Sequence, residues 1–254
     1  MKEKKKIGCF ILSRLSSSRL PGKALLTIKG KPLIQHIIER ARLVSLADVI
    51  VLCTSVEKSD DALESIAKEN NIEVFRGSLN DVLERFLGAA QKFNVDYFVV
   101  FSGDNIFCDP ELMDLGLNQM INNGLDFIKL PPDLENGGVA YCISTKALER
   151  ACRLKKDEDT EYYPKFFTAH KEFKVGDLEV EDPIFHDTGI RATIDYPEDI
   201  EFAKAVFEEF QTDTNNIPLR KIIELIREKP EIGQINFSRN KDWSKNQKPM
   251  KVIK

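Results

Sequence analysis

The sequence predicts an α/β protein with a doubly wound, mostly parallel sheet, and three observations carry that reading. Short apolar runs alternate with amphipathic stretches over the first two thirds of the chain, the pattern of repeated strand–helix units. One run, Tyr97-Phe98-Val99-Val100-Phe101, is apolar at every position, as a strand covered by helices on both faces must be. A chain of 254 residues that is 42% hydrophobic has enough apolar surface for one large core of this kind.

The first strand covers Ile7–Leu12, and a polar loop over residues 13–23 follows it. Pro32 suits the first turn of a helix, where its missing N–H is no loss, and Leu33, Ile34, Ile37, Ile38 and Ala41 then recur at helical spacing. Residues 49–53 form the next strand. Ser59, Asp60 and Asp61 read as the cap and first-turn carboxylates of a second helix. Val74 and Phe75 end a third strand, and residues 82–93 form a helix with Val82, Leu83, Phe86, Ala89 and Ala90 on one face. Beyond Gly124 the pattern loosens. Strands are expected at residues 139–143, 173–175 and 191–194, short helices at 147–154 and 160–168, and a longer helix at 197–210. Residues 1–211 are read as the main domain and residues 212–254 as a C-terminal extension with one helix, Leu219–Glu228.

A net charge of −4 argues against general nucleic-acid binding, which needs excess Lys and Arg to displace counterions. Cys9, Cys53, Cys108, Cys142 and Cys152 are widely spread with no C-x-x-C pair, so they are expected to be reduced and structural. The apolar run after the basic residues 1–6 is too short for a signal peptide or a membrane span, and a cytoplasmic protein is expected.

Two loops carry chemistry. Arg14, Arg19 and Lys23 lie within ten residues among Ser13, Ser16, Ser17 and Ser18, with Gly22 clearing space beside the lysine. Free amides, hydroxyls and fixed cations leaving a buried strand can wrap a triphosphate, although such a loop alone also reads as a solvated turn. It is not a Walker A loop, because the position five residues before Gly22 is Ser17 rather than glycine. The second loop opens with Ser102-Gly103-Asp104 at the end of the all-apolar strand. A carboxylate there is a natural Mg²⁺ ligand or, equally, the cap of the helix following Pro110. Asp195, after Arg191-Ala192-Thr193-Ile194, has the same two readings, since Pro197-Glu198-Asp199 beside it fits a helix start. In open α/β sheets both loops would emerge at the carboxyl edge where ligands bind.

The run Arg14-Leu15-Ser16-Ser17-Ser18-Arg19-Leu20-Pro21-Gly22-Lys23 resembles the signature of cytidylyltransferases of the CMP-ketodeoxyoctonate synthetase and spore coat polysaccharide biosynthesis protein F type. Supporting matches follow in family order: Gly30-Lys31-Pro32-Leu33, Thr54-Ser55, Phe75-Arg76-Gly77-Ser78, Asp81-Val82-Leu83, Gly103-Asp104, Asp109-Pro110-Glu111-Leu112, and Arg191 through Asp195 with Pro197-Glu198-Asp199. The likeness covers roughly residues 7–210. It implies a nucleotide-diphospho-sugar transferase fold, a dimer, and CTP and a sugar-acid-like acceptor as substrates. By the same likeness Arg14, Arg19 and Lys23 hold the triphosphate. Leu12, Ser13, Ser102, Arg76 and Ser78 frame base and ribose, and Asp104 and Asp195 hold Mg²⁺. The acceptor hydroxyl would attack the α-phosphate, with pyrophosphate leaving.

The sequence departs from the family pattern in three places. Leu12-Ser13 stands where the family has Gln-Ala, Ser102 where it has Thr, and Val139-Ala140-Tyr141-Cys142 where an acidic acceptor-side segment is usual. The missing carboxylate points to a more anionic or less hydroxylated acceptor, with Tyr141, Arg191 and His186 as its expected contacts, or else to weakened activity. His36 and His170 read as structural. Two other functions fit the same fold. A glycosyltransferase would carry an Asp-x-Asp motif, which Asp104-Asn105-Ile106 lacks. A non-catalytic nucleotide or sugar sensor would not need both Asp104 and Asp195.

Overall fold

The computed structural model describes residues 4–17, 19–131, 133–134, 137–212 and 214–240, so Ser18 of the first loop and the tail from residue 241 lie outside the described residues. In chain order the strands are β1 (Ile7–Leu12), β2 (Thr27–Ile28), β3 (Lys31–Pro32), β4 (Val49–Ser55), β5 (Glu73–Gly77), β6 (Tyr97–Ser102), β7 (Phe127–Lys129), β8 (Cys142–Ser144) and β9 (Val175–Asp177). The helices are α1 (Leu33–Ala41), α2 (Asp61–Glu69), α3 (Val82–Lys92), α4 (Pro110–Asn123), α5 (Thr145–Leu154), α6 (Lys165–Thr168), α7 (Pro197–Glu209), α8 (Leu219–Glu228) and α9 (Pro230–Phe237).

Seven strands form one sheet in the order β5-β4-β1-β6-β8-β7-β9, with β2 and β3 a separate antiparallel pair. The half from β5 to β6 is parallel, and β8 pairs antiparallel with both β6 and β7. The reason lies in burial on two faces. Along β1, Cys9 and Ile11 enter the core under α1, α4 and α7, while Phe10 enters the opposite core with α3 and α5. Phe98 and Phe101 of β6 divide between the same two cores, which is why this run carries no polar position.

The strand order reverses at β1. The chain moves from β1 to β4 and β5 on one side, then returns to β6 on the other, with Leu12 opposite Ser102 at the shared carboxyl end. That reversal opens the crevice in which doubly wound sheets bind ligands. Both loops singled out from the sequence leave the sheet at this point.

Several expected elements are corrected. Residues 191–194 are not a strand but an extended segment lying across the second loop, where the Ile194 amide donates to the Asp104 carbonyl at 2.8 Å. The strands expected at 139–143 and 173–175 lie two to three residues later, as β8 and β9, and the helix expected at 160–168 contracts to α6. Asp60 is no cap. Its carboxylate turns inward and accepts hydrogen bonds from Thr54 Oγ1, Ser55 N, Ser55 Oγ and Leu15 N.

Helix α9 was not legible in the sequence, and the described residues 214–240 pack onto the main core. Ile217, Leu219, Ile222, Ile223 and Ile232 belong to the α1–α4–α7 core. Polar bonds tie the same segment beneath the second loop. Asn215 Nδ2 donates to Ile106 O at 2.6 Å, and Leu219 N donates to Asp109 Oδ2 at 2.9 Å. The fully buried Arg40 on α1 completes the link, donating to Cys108 O at 2.6 Å, Phe107 O at 3.2 Å and Ile217 O.

A buried guanidinium removed without replacement leaves its acceptors desolvated and unpaired. Arg40→Met is therefore expected to lower stability by about 2–4 kcal/mol in urea unfolding. A loss under about 0.5 kcal/mol, the range of an ordinary surface change, would show that the three carbonyls find other donors.

Candidate active site

The site is built where three chain segments meet. The first loop is pinned at its entry, with Leu15 N donating to Asp60 Oδ1 at 2.8 Å, and closed at its exit, with Gly22 N donating to Leu15 O at 3.2 Å. Gly22 sits at φ +69°, a left-handed conformation that glycine adopts without cost. Lys23 then opens a short 3₁₀ turn over Lys23–Leu25.

The second loop lies against the first because Gly103 has no side chain. Gly103 N donates to Leu12 O at 2.8 Å, and a Cβ on Gly103 would stand 2.6 Å from Ser13 Oγ and 2.9 Å from Leu12 O. The cap of α4 falls to Asp109, whose side chain accepts from Glu111 N and Leu112 N behind Pro110. Asp104 is thereby released from the capping role that its sequence position left open. The same holds for Asp195. At the start of α7 it is Asp199 that accepts from Tyr196 N at 2.9 Å and from Asp195 N at 2.8 Å.

The two freed carboxylates converge on one ammonium. Lys23 Nζ donates to Asp104 Oδ2 at 2.6 Å, to Asp195 Oδ1 at 3.0 Å and to Ile194 O at 3.0 Å. Arg19 Nη2 also reaches Asp195 Oδ1, at 2.8 Å. Burial alone would push the lysine down, but Asp104 and Asp195 outweigh it and hold its pKa above the ordinary value. Burial likewise pushes Asp195 up, and Lys23, with Arg19 and Arg191, outweighs that and holds the carboxyl below its ordinary value. Both carboxylates lie within hydrogen-bond reach of a single atom. Their hard oxygens fit Mg²⁺, which takes one or two carboxylates and keeps waters and substrate phosphates for the rest of its shell. Among the described residues no group of three or more His, Cys, Asp or Glu is arranged to cage a metal.

Arg14 lies on the β5 side of the crevice, donating to Leu79 O at 3.1 Å and to Glu161 Oε1 at 2.6 Å. Leu12 and Ser13 lie opposite Ser102 and Gly103 at the strand ends. Ser78 sits in the loop after β5, where its carbonyl accepts twice from the buried Arg85 and its hydroxyl accepts from Asp81 N. Arg76 departs from expectation. Its guanidinium is committed to Asp61, Glu64, Ser55 O and Glu57 O at the outer rim of the sheet.

The three expected acceptor contacts are also redistributed. Arg191 is buried on Asp195 and Asp199 and acts on the site through Asp195. His186 has both ring nitrogens engaged, with Asp133 Oδ2 at 2.7 Å and Val180 O at 2.8 Å. Tyr141 stacks on Phe127 and meets Tyr163 edge-on, and burial pushes its phenol up to about 12. Sequence reasoning missed Asp60, Arg85, Asp199 and Glu161. Only Asp199 left a signal, four residues after Asp195 at a Pro-marked helix start.

The sequence matches the cytidylyltransferase family over residues 9–229. It is 28% identical over 231 residues to spore coat polysaccharide biosynthesis protein SpsF of Bacillus subtilis, covering 87% of this chain and 94% of that protein. It is 31% identical over 164 residues to the 8-amino-3,8-dideoxy-manno-octulosonate cytidylyltransferase of Shewanella amazonensis, covering 64% of each. A solved cytidylyltransferase from Leptospira borgpetersenii, 28% identical, superposes with a TM-score of 0.83 over 91% of this chain and 98% of that one.

The Lys23 cluster has a pH signature. The depressed Asp195 contributes stability above the unfolded carboxylate value of ~3.9 and loses it as pH falls through its lower folded value. The raised Lys23 contributes below the unfolded value of ~10.4 and loses it as pH rises through its higher folded value. Lys23→Met should therefore cost about 1–3 kcal/mol at pH 7, with the gap to wild type closing below roughly pH 4. Urea unfolding at pH 7 and 3.5 measures this, and an equal gap at both would contradict the pairing.

Proposed function

The chain belongs to the cytidylyltransferase family, and from that premise we propose that it transfers CMP from CTP to the hydroxyl of an anionic, sugar-acid-like acceptor. One observation carries the reading. A lysine and an arginine of the first loop meet two carboxylates from separate segments at the point where the strand order reverses. Binding alone needs the cations. Two converging carboxylates beside them suit phosphoryl chemistry, which calls for both a metal and charge stabilisation.

Each cation of the first loop already holds an anion: Lys23 holds Asp104 and Asp195, Arg19 holds Asp195, and Arg14 holds Glu161. On CTP binding these cations exchange carboxylate for phosphate oxygens, so the apo cluster keeps the loop in a binding-ready arrangement. Asp104 and Asp195 are then available to Mg²⁺, which when bound neutralises charge on the phosphate oxygens. The acceptor oxygen forms a bond to the α-phosphorus while the bond to the bridging oxygen of the β-phosphate breaks. The hydroxyl proton is lost, and pyrophosphate leaves. Arg14, Arg19 and Lys23 stabilise charge on the departing pyrophosphate.

Leu12, Ser13, Ser102 and Ser78 frame base and ribose in this reading, and Tyr141 lies on the acceptor side. The names of the Bacillus and Shewanella relatives support a sugar acid as acceptor and surface polysaccharide assembly as the setting. A cytoplasmic homodimer is the assembly we propose. Among the described residues no helix is long and apolar enough to cross a membrane. The glycosyltransferase and sensor readings gain no support from these relatives.

Pyrophosphate release tests the reading, with four nucleoside triphosphates screened against sugar acids, sugar phosphates and neutral sugars in the presence of Mg²⁺. CTP with an anionic sugar is expected to give the highest turnover, and Asp104→Asn should lower it by at least about a hundredfold. A purine triphosphate or a neutral sugar as the best substrate would overturn the corresponding half of the proposal.

A further inference from the structure

A ladder of buried polar groups runs from the C-terminal helix to Asp195. Asn236, at the end of α9 and 1% exposed, donates from Nδ2 to Asp199 Oδ1 at 2.9 Å and to Arg191 O at 3.0 Å. Asp199, fully buried, accepts from Arg191 Nε at 2.8 Å and Nη2 at 3.2 Å, and from the backbone amides of Asp195 and Tyr196. Arg191 Nη2 then donates to Asp195 Oδ2 at 3.1 Å. One oxygen of Asp195 is thus fixed from behind, and the other, Oδ1, faces Arg19 and Lys23.

The orientation of the Asn236 amide is set by its partners. Both face it with acceptors, so only the NH₂ end can point to them, and Asn236 Oδ1 is left buried without a partner. Such an orphan costs free energy, and a ladder that retains it is paying for something other than packing. The neighbouring ring supports the same end of the chain. Tyr196, next to Asp195, lies between Arg191 and Arg239, whose guanidinium carbons are 5.3 and 5.0 Å from its centroid.

We propose that Asn236 is a positioning residue, which through Asp199 and Arg191 fixes the Asp195 carboxylate in the orientation that a divalent ion requires. It lies beyond residue 229, where the match to the family model ends. The inference rests on the nucleotidyltransferase reading above. Removing Asn236 takes one of two donors from Asp199 Oδ1, leaving Arg191 Nε, and takes the side-chain donor from the Arg191 carbonyl, which loosens the guanidinium and lets Asp195 turn. Groups behind a metal ligand typically change metal affinity by about 10–100-fold.

The test uses the full chain, Mn²⁺ as the probe ion and electron paramagnetic resonance of free Mn²⁺, with and without CTP. Asn236→Ala is expected to weaken Mn²⁺ binding in the presence of CTP by about tenfold. CTP binding without metal should stay within about twofold of wild type, since the cations of the first loop are untouched. Asn236→Ser, which keeps a smaller donor, should fall between the two and serves if the alanine variant does not fold. Ile232→Ala trims buried packing of the same helix without touching the ladder, and it should lower stability while leaving Mn²⁺ affinity at the wild-type value. Mn²⁺ affinity unchanged in the Asn236 variants, or lost equally in Ile232→Ala, would overturn the inference. Wild-type protein that binds no Mn²⁺ with CTP would instead overturn the nucleotide reading, and this inference with it.

Discussion

The Lys23 ammonium, held between Asp104 and Asp195, is the contact on which the site depends. It joins three segments far apart in sequence: the loop after β1, the loop after β6 and the extended stretch before α7. No apolar packing would bring two carboxylates together there, because like charges at close range repel. A cation between them resolves the repulsion in the free protein, and a metal ion with phosphate can resolve it in the complex. In the proposed reaction one set of charges would serve both states, without reorganisation of the loops.

Around this contact, three buried arginines hold irregular backbone in place. Arg40 gathers the carbonyls of Phe107, Cys108 and Ile217 beneath the second loop. Arg85 gathers those of Ser78 and Leu79 in the loop after β5. Arg191 braces Asp195 and Asp199. A planar guanidinium with several donors can satisfy loop carbonyls that no sheet or helix satisfies, which is why arginine rather than lysine occupies these positions. Lys23 is drawn deep into the site, and a compact point charge suits exchange between carboxylate and phosphate.

Much of this was legible in the sequence because strand burial and loop chemistry are local signals. The all-apolar run at Tyr97–Phe101 marked a central strand, and clustered cations at Arg14, Arg19 and Lys23 marked its facing loop. The convergence of Asp104 and Asp195 was expected from strands ending at one edge. The carboxylates do converge, yet Asp195 arrives on an extended segment hydrogen-bonded to the second loop, not on a strand. What the sequence could not show was which of several neighbouring aspartates caps a helix. Asp109 and Asp199 take those roles, and only three-dimensional register decides between them and Asp104 or Asp195. Arg76 and Arg191 illustrate the same limit, since an arginine near a site is as readily consumed by local carboxylates as offered to a ligand.

The most direct measurement of the central claim is anomalous scattering from crystals grown with CTP and Mn²⁺. The account predicts one manganese peak bound by both Asp104 and Asp195, with Lys23 Nζ moved from the carboxylates to a phosphate oxygen. Manganese bound away from that pair, or Lys23 still bridging the two carboxylates beside bound CTP, would contradict it.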